Sequence, residues 1–115
     1  MDVREELDAF LNKQKELGTK RRDICHVLFA RQYTESAVGK VMGFTAKTAA
    51  AMKVDLSKAG RAKAEKIGKR VHYDFSKANL KRVSGKKVLT QFLSLVDAVL
   101  EIDKPVADVQ EQAHE

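Results

Sequence analysis

Apolar positions along this chain follow two rhythms, and the change between them divides the molecule. Val3, Leu7, Phe10, Leu11 and Leu17 recur at helical spacing, which predicts an amphipathic helix over residues 2–17. Gly18 ends it, and Thr19 stands where the N-cap of a second helix belongs. That helix carries Ile24, Val27, Leu28 and Arg31, is widened on its apolar side by Phe29 and Ala30, and is expected to reach Tyr33. Thr34 caps a short third helix with Val38, Val41 and Met42 facing inward, and Gly43 breaks it. Thr45 caps a fourth helix, expected to run to Lys58 before Gly60 stops it.

Beyond residue 60 the period becomes two. Val71, Tyr73 and Phe75 alternate with Arg70, His72 and Asp74, as in a strand with one wet face, and Ala62 and Ala64 alternate with Arg61, Lys63 and Glu65. Lys66, Ile67, Gly68 and Lys69 lie between the two runs, and Gly68 can take the positive φ of a tight hairpin turn. Residues 76–83 show neither period. A strong helix then starts at Ser84 or Gly85 and runs to Ile102. Val88, Phe92, Leu95, Val96, Val99 and Ile102 form one stripe on it, broadened by Leu89, Leu93 and Leu100. So wide an apolar surface needs more than one partner face. Pro105 is expected to end this helix, leaving residues 103–115 as an acidic, disordered tail. The expected fold class is mainly α: one domain over residues 1–102, with five or six helices and a β-hairpin after the fourth.

Charge adds a direction to this outline. Lys and Arg number 22 against 16 acids, a formal net charge of +6. Residues 1–39 balance seven bases with seven acids, whereas residues 40–87 carry fourteen bases against Asp55, Glu65 and Asp74. Residues 88–115 are acidic, with Lys104 as their one base. A basic middle between neutral and acidic ends points to one polyanion-binding surface. The single cysteine, Cys25, lies in an apolar helical pattern and reads as a buried thiol. No run approaches the roughly 20 apolar residues of a membrane span, and the acidic start lacks a secretory n-region. A cytoplasmic protein without membrane contact is expected.

Catalytic signatures are missing: the chain has no Gly-rich phosphate loop, no ligand-spaced His, Asp and Glu cluster, and no nucleophile elbow. The expectation is a non-enzyme without cofactor. Cys25 and His26 point about 100° apart on a helix, a poor chelating pair. His72 lies far away on the wet side of a strand, and His114 lies in the tail. No metal site is expected.

The decisive constellation spans residues 38–52. A helix-turn-helix needs a small residue where its two helices nearly touch, a permissive residue in the turn, and apolar residues at inward positions only. Gly39, Gly43 and the set Val38, Met42, Phe44, Ala49 and Met52 meet these needs in order. The other side of the fourth helix carries Lys47, Ala50, Ala51, Val54 and Lys58. Thr45, Lys47, Thr48, Ala50 and Ala51 are the candidates for base-edge contact, with methyls suited to thymine and lysines to base acceptors. An ordinary helical hairpin capped by Thr45 would show the same spacing. What tips the reading toward DNA is the basic hairpin that follows, with Lys66, Lys69 and Arg70 at its tip and Lys63 behind them. Together with Lys40, Lys53 and Lys58 these are the candidate contacts to the DNA backbone or minor groove. Tyr73 and Phe75 are spaced to pack the ribbon onto the helices.

Residues 37–75 resemble the winged helix-turn-helix of bacterial and archaeal transcription regulators, especially the small metal-sensing repressors and their multiple-antibiotic-resistance-type relatives. Ala59, Gly60, Arg61 and Ala62 resemble the exit from a recognition helix into the first wing strand, and residues 68–75 resemble the second wing strand. Arg61 departs from the pattern, occupying a usually apolar position, so an irregular first strand is expected. The resemblance implies a homodimer built from terminal helices, acting on operators near its own gene. Phe92, Leu95, Val96 and Val99 are the candidate dimerisation residues. The expected function is a homodimeric, sequence-specific double-stranded DNA binder acting as a transcriptional repressor. An architectural or replication and partition DNA-binding protein, or an interaction module meeting an acidic partner, are the alternatives. No effector can be named.

Overall fold

The first 58 residues fold into four helices, α1 (Val3–Glu16), α2 (Arg21–Ala30), α3 (Glu35–Met42) and α4 (Ala46–Lys58), followed by strands β1 (Ala62–Ile67) and β2 (Arg70–Phe75) and a long helix α5 (Lys86–His114). This computed structural model describes residues 2–76 and 86–114, with the side chains of α5 described for residues 87–102. The stretch without a period after Ser76 and the expected helix start at Ser84 or Gly85 lie outside the described residues. The protein is mainly helical, and β1 and β2 form a two-stranded antiparallel sheet.

Local signals explain most of the helix boundaries. Asp2, Thr34 and Thr45 each accept a hydrogen bond from a backbone N–H of the following first turn. Thr19 does not cap α2 as expected. Its hydroxyl donates to Gln14 Oε1 (3.3 Å) and its N–H to the Gln14 carbonyl (2.9 Å), so it serves the end of α1. Lys20 takes the cap position instead, and Asp23, three residues on, accepts from the Lys20 N–H at 3.3 Å. α2 also ends earlier than the pattern implied. Gln32 adopts φ +67, and the Tyr33 N–H returns to the Leu28 carbonyl at 3.2 Å. At the other end of the chain, α5 continues through Pro105. Proline removes one hydrogen-bond donor from the ladder there, and the helix carries on to His114.

The left-handed turn at Gln32 carries a prediction. A side chain in this region suffers a clash between Cβ and the carbonyl that glycine avoids. Gln32 is exposed, so it gains no compensating packing. Gln32→Gly should stabilise the fold by about 0.5–1 kcal/mol, the relief of strain outweighing the added freedom of the unfolded chain. Urea unfolding would report it as a higher midpoint at constant slope.

Leu7, Val27, Leu28, Val38, Val41, Leu56, Phe92 and Val96 are almost completely buried and form the centre of one core. α1 and α5 pack together, with the rings of Phe10 and Phe92 stacked at 5.1 Å. Tyr33 Oη donates to Asp97 Oδ1 at 2.6 Å and so ties the end of α2 to α5. Burial, reinforced by that carboxylate, pushes the Tyr33 hydroxyl up to about 12. Among the described residues no helix is long and apolar enough to cross a membrane.

This packing corrects the expected dimer seam. Phe92, Val96 and Val99 belong to the core of their own chain. Of the four candidates only Leu95 keeps appreciable accessible surface. The stripe on α5 is wide because α1 and α3 both lie against this helix, and these supply the partner faces within one molecule.

Candidate nucleic-acid interface

α3 and α4 meet at Gly39, Gly43 and Thr45. A Cβ at Gly39 would lie 2.6 Å from the Phe44 carbonyl oxygen and 3.3 Å from the Thr45 carbonyl carbon, so the helices approach as closely as glycine permits. Gly43 adopts φ +79, and the Phe44 N–H returns to the Gly39 carbonyl at 2.9 Å, closing α3 before the chain turns. Arg4 adds a second closure. Its guanidinium donates to the carbonyls of Lys40 (2.7 Å) and Val41 (3.0 Å) and pairs with Asp8 at 2.9 Å.

The inward face of α4 is held by Ala49 and Leu56, both completely buried, with Met52 half-buried beside them. At about 100° per residue the opposite side carries Lys47, Ala51, Val54 and Lys58 in one row. All four are exposed. Thr48 and Asp55 border this row and are exposed too. Ala50 is half-buried on the flank, so it is not the outward residue that the sequence pattern implied. Thr45 is exposed, but its oxygen already accepts the Thr48 N–H at 3.1 Å. Lys53, expected to be a backbone contact, turns back onto the molecule. Its ammonium lies 5.1 Å from the centre of the Phe29 ring and 3.9 Å from a Glu35 oxygen.

β1 and β2 pair from Ala62 opposite Phe75 to Ile67 opposite Arg70, so Gly68 and Lys69 form a two-residue turn. Positive φ falls on Gly68, the first central position. Ala62, Ala64, Lys66, Val71, Tyr73 and Phe75 share one face, and Phe75 stacks on Phe29 at 5.3 Å to dock the ribbon on α2. Lys66, Lys69 and Arg70 are all exposed near the tip, with Lys66 on the face opposite Arg70. Lys63 and Lys40 are exposed as well.

The base of the hairpin is clamped. Ser76 donates its N–H (2.9 Å) and hydroxyl (3.1 Å) to the Arg61 carbonyl. His26 Nε2 donates to the Ser76 carbonyl oxygen at 2.9 Å. Arg61 forms an ion pair with Asp23 on α2. The first strand is therefore regular, against expectation, because Arg61 answers a carboxylate rather than an apolar pocket. Burial works to raise the Asp23 pKa, but the hydrogen bond and charge of Arg61, the Lys20 N–H and the Arg22 charge outweigh it and hold the carboxyl below its usual range. Cys25 is buried, and that burial pushes its thiol up to about 12.

Sequence reasoning missed the cations at the start of α2. The Arg21 guanidinium lies 5.9 Å from the centre of the Phe44 ring, beside the α3 to α4 turn. Lys15, Lys20 and Arg21 line an open groove of about 690 Å³ together with Leu11, Ile24 and Met42. The run Lys20, Arg21, Arg22 was visible in the chain but hidden by the neutral balance of its first 39 residues. No family model, curated protein or solved structure matches the chain.

Proposed function

We propose that this protein belongs to the class of winged helix-turn-helix proteins that bind double-stranded DNA, with α3 and α4 as the helix-turn-helix and the β1 to β2 hairpin as the wing. Within that class we read it as a sequence-specific transcriptional repressor. The observation that carries the reading is the exposed row Lys47, Ala51, Val54 and Lys58 on α4, set next to a hairpin with Lys66, Lys69 and Arg70 exposed around its tip. The row favours base reading over plain phosphate binding. Its methyls match the thymine methyl, its lysines match guanine acceptors, and the Asp55 carboxylate beside it would be repelled by phosphates but can accept from a cytosine amino group. If two chains act as a pair, the contact must use surface such as Leu95 and Ile102, because Phe92, Val96 and Val99 are committed to the core.

Footprinting on genomic fragments at physiological salt tests the reading. A short protected site is expected, and paired half-sites about 10–10.5 base pairs apart would mark a two-fold protein. Even protection of all sequences would favour an architectural role, and no protection would favour a protein partner. Replacing Lys69 and Arg70 together by alanine should weaken specific and random DNA by similar factors, because phosphate contacts position without reading. The dependence of log affinity on log salt should flatten by up to about 1.8 units if each cation neutralises one phosphate. An unchanged salt slope would take the wing out of the interface.

A further inference from the structure

Two large apolar side chains stand exposed near the hairpin tip, Ile67 at 59% and Val71 at 50%. Ile67 is the last residue before the turn and pairs with Arg70. Side chains alternate across a ribbon, so Ile67 lies on the face opposite Phe75, the ring that docks the hairpin on α2. The helices therefore lie against the other side of the sheet. Strand formation does not explain the choice of residue either, since threonine is equally β-branched and would expose much less hydrocarbon to water. Two cations stand at this end of the ribbon, Lys69 in the turn and Arg70 paired with Ile67 on the same face; Glu65 shares that face two residues back, Lys66 lies on the other face, and all four are exposed.

The reach of this tip is of the same order as the spacing of neighbouring DNA grooves. Six residues per strand at about 3.3 Å each carry it roughly 20 Å from the hairpin base. A turn of DNA is about 34–36 Å, so the neighbouring minor groove lies roughly 17 Å from the centre of the major groove. We propose that Ile67 is an apolar wedge: with α4 in the major groove, the hairpin tip enters the adjacent minor groove, where Lys69 and Arg70 meet the phosphates and Ile67 inserts at a base step and bends the duplex. The inference rests on the double-stranded DNA reading above and adds to it an apolar contact and a deformation. Apolar wedges of this kind part a base step and kink the helix toward the major groove. Flexible TA or CA steps about half a turn from the bases read by α4 are the sites that yield most easily.

The test measures the end-to-end distance of a doubly dye-labelled duplex carrying the footprinted site, with 2-aminopurine placed at successive steps. The unmodified protein should bend the duplex by an angle in the range of about 20–90° and raise 2-aminopurine fluorescence at one step beyond the α4 contacts. Ile67→Thr should lose most of the bend and the fluorescence rise while keeping the salt slope, and Ile67→Phe should restore both. Circular dichroism should show the same thermal midpoint for both variants within a few degrees, because position 67 is exposed. Binding without bending, or bending that Ile67→Thr leaves intact, would overturn the wedge and leave the DNA reading standing. Failure of the unmodified protein to bind any duplex would remove both. Co-sedimentation with anionic phosphatidylserine vesicles that depends on Ile67, with no DNA bend, would assign the tip to a lipid surface and overturn the proposal.

Discussion

Gly39→Ala is expected to destabilise the protein by about 2 kcal/mol, a shift of roughly 10 °C in thermal midpoint for a domain of this size. In most helices the exchange would be favourable, since alanine is preferred over glycine by up to about 1 kcal/mol. Here the added methyl would sit 2.6 Å from the Phe44 carbonyl oxygen and 3.3 Å from the Thr45 carbonyl carbon. Both atoms are backbone, so no side chain can swing aside. The start of α4 would have to move away from α3, loosening Val38, Val41 and Ala49, which are completely buried there. Because that movement also re-aims α4, DNA binding should fall further than the loss of folded protein explains. A midpoint equal to or above that of the unmodified chain would show that the two helices are not in close contact.

Ala51→Glu should reduce specific DNA binding at least 100-fold with little change in stability. Ala51 is exposed on α4 between Lys47 and Val54, and glutamate is a good helix former, so the fold has no reason to respond. On the proposed reading the new carboxylate would face phosphates and base acceptors at the centre of the DNA contact, and about 2.7 kcal/mol of lost contact and added repulsion corresponds to the stated factor. Position 51 is the better probe than position 50, because Ala50 is half-buried and its replacement would test packing as well. Electrophoretic mobility shift at fixed salt, with urea unfolding as control, measures both quantities. Undiminished binding by a stable variant would move the DNA contact off this face of α4.

What could be read from the chain was local. Thr34 and Thr45 cap as their positions foretell, Gly39 and Gly43 occupy the close approach and the turn, and the alternation from Arg70 to Phe75 becomes a strand. Each of these depends on neighbours a few residues away. What could not be read depends on distant ones. The apolar width of α5 is compatible with a second chain or with α1 and α3, and it takes the packed core, with Phe10 stacked on Phe92, to decide that Phe92 is buried within its own chain. Arg61 reads as a misfit until Asp23 is found beside it, and Lys53 reads as free until Phe29 and Glu35 appear. Periodicity gives the angle at which Ala50 leaves its helix, but not what stands on that side.

The footing of the hairpin has a consequence for how a DNA ligand would be judged. α2 touches both α4 and β2, and Phe29, His26 and Asp23 on α2 hold Phe75, Ser76 and Arg61 at the ribbon base. The span from the outer row of α4 to the hairpin tip is thus set by a packed helix, not by an extensible linker. A protein with such a fixed gauge responds to the winding of the duplex as well as to its bases. Near 10.5 base pairs per turn, each added or removed pair between two contacts rotates them by roughly 35°. On the proposed DNA reading, a change of winding between the two grooves would therefore shift the second contact even where every contacted base is unchanged, and affinity would respond to the superhelical state of the DNA.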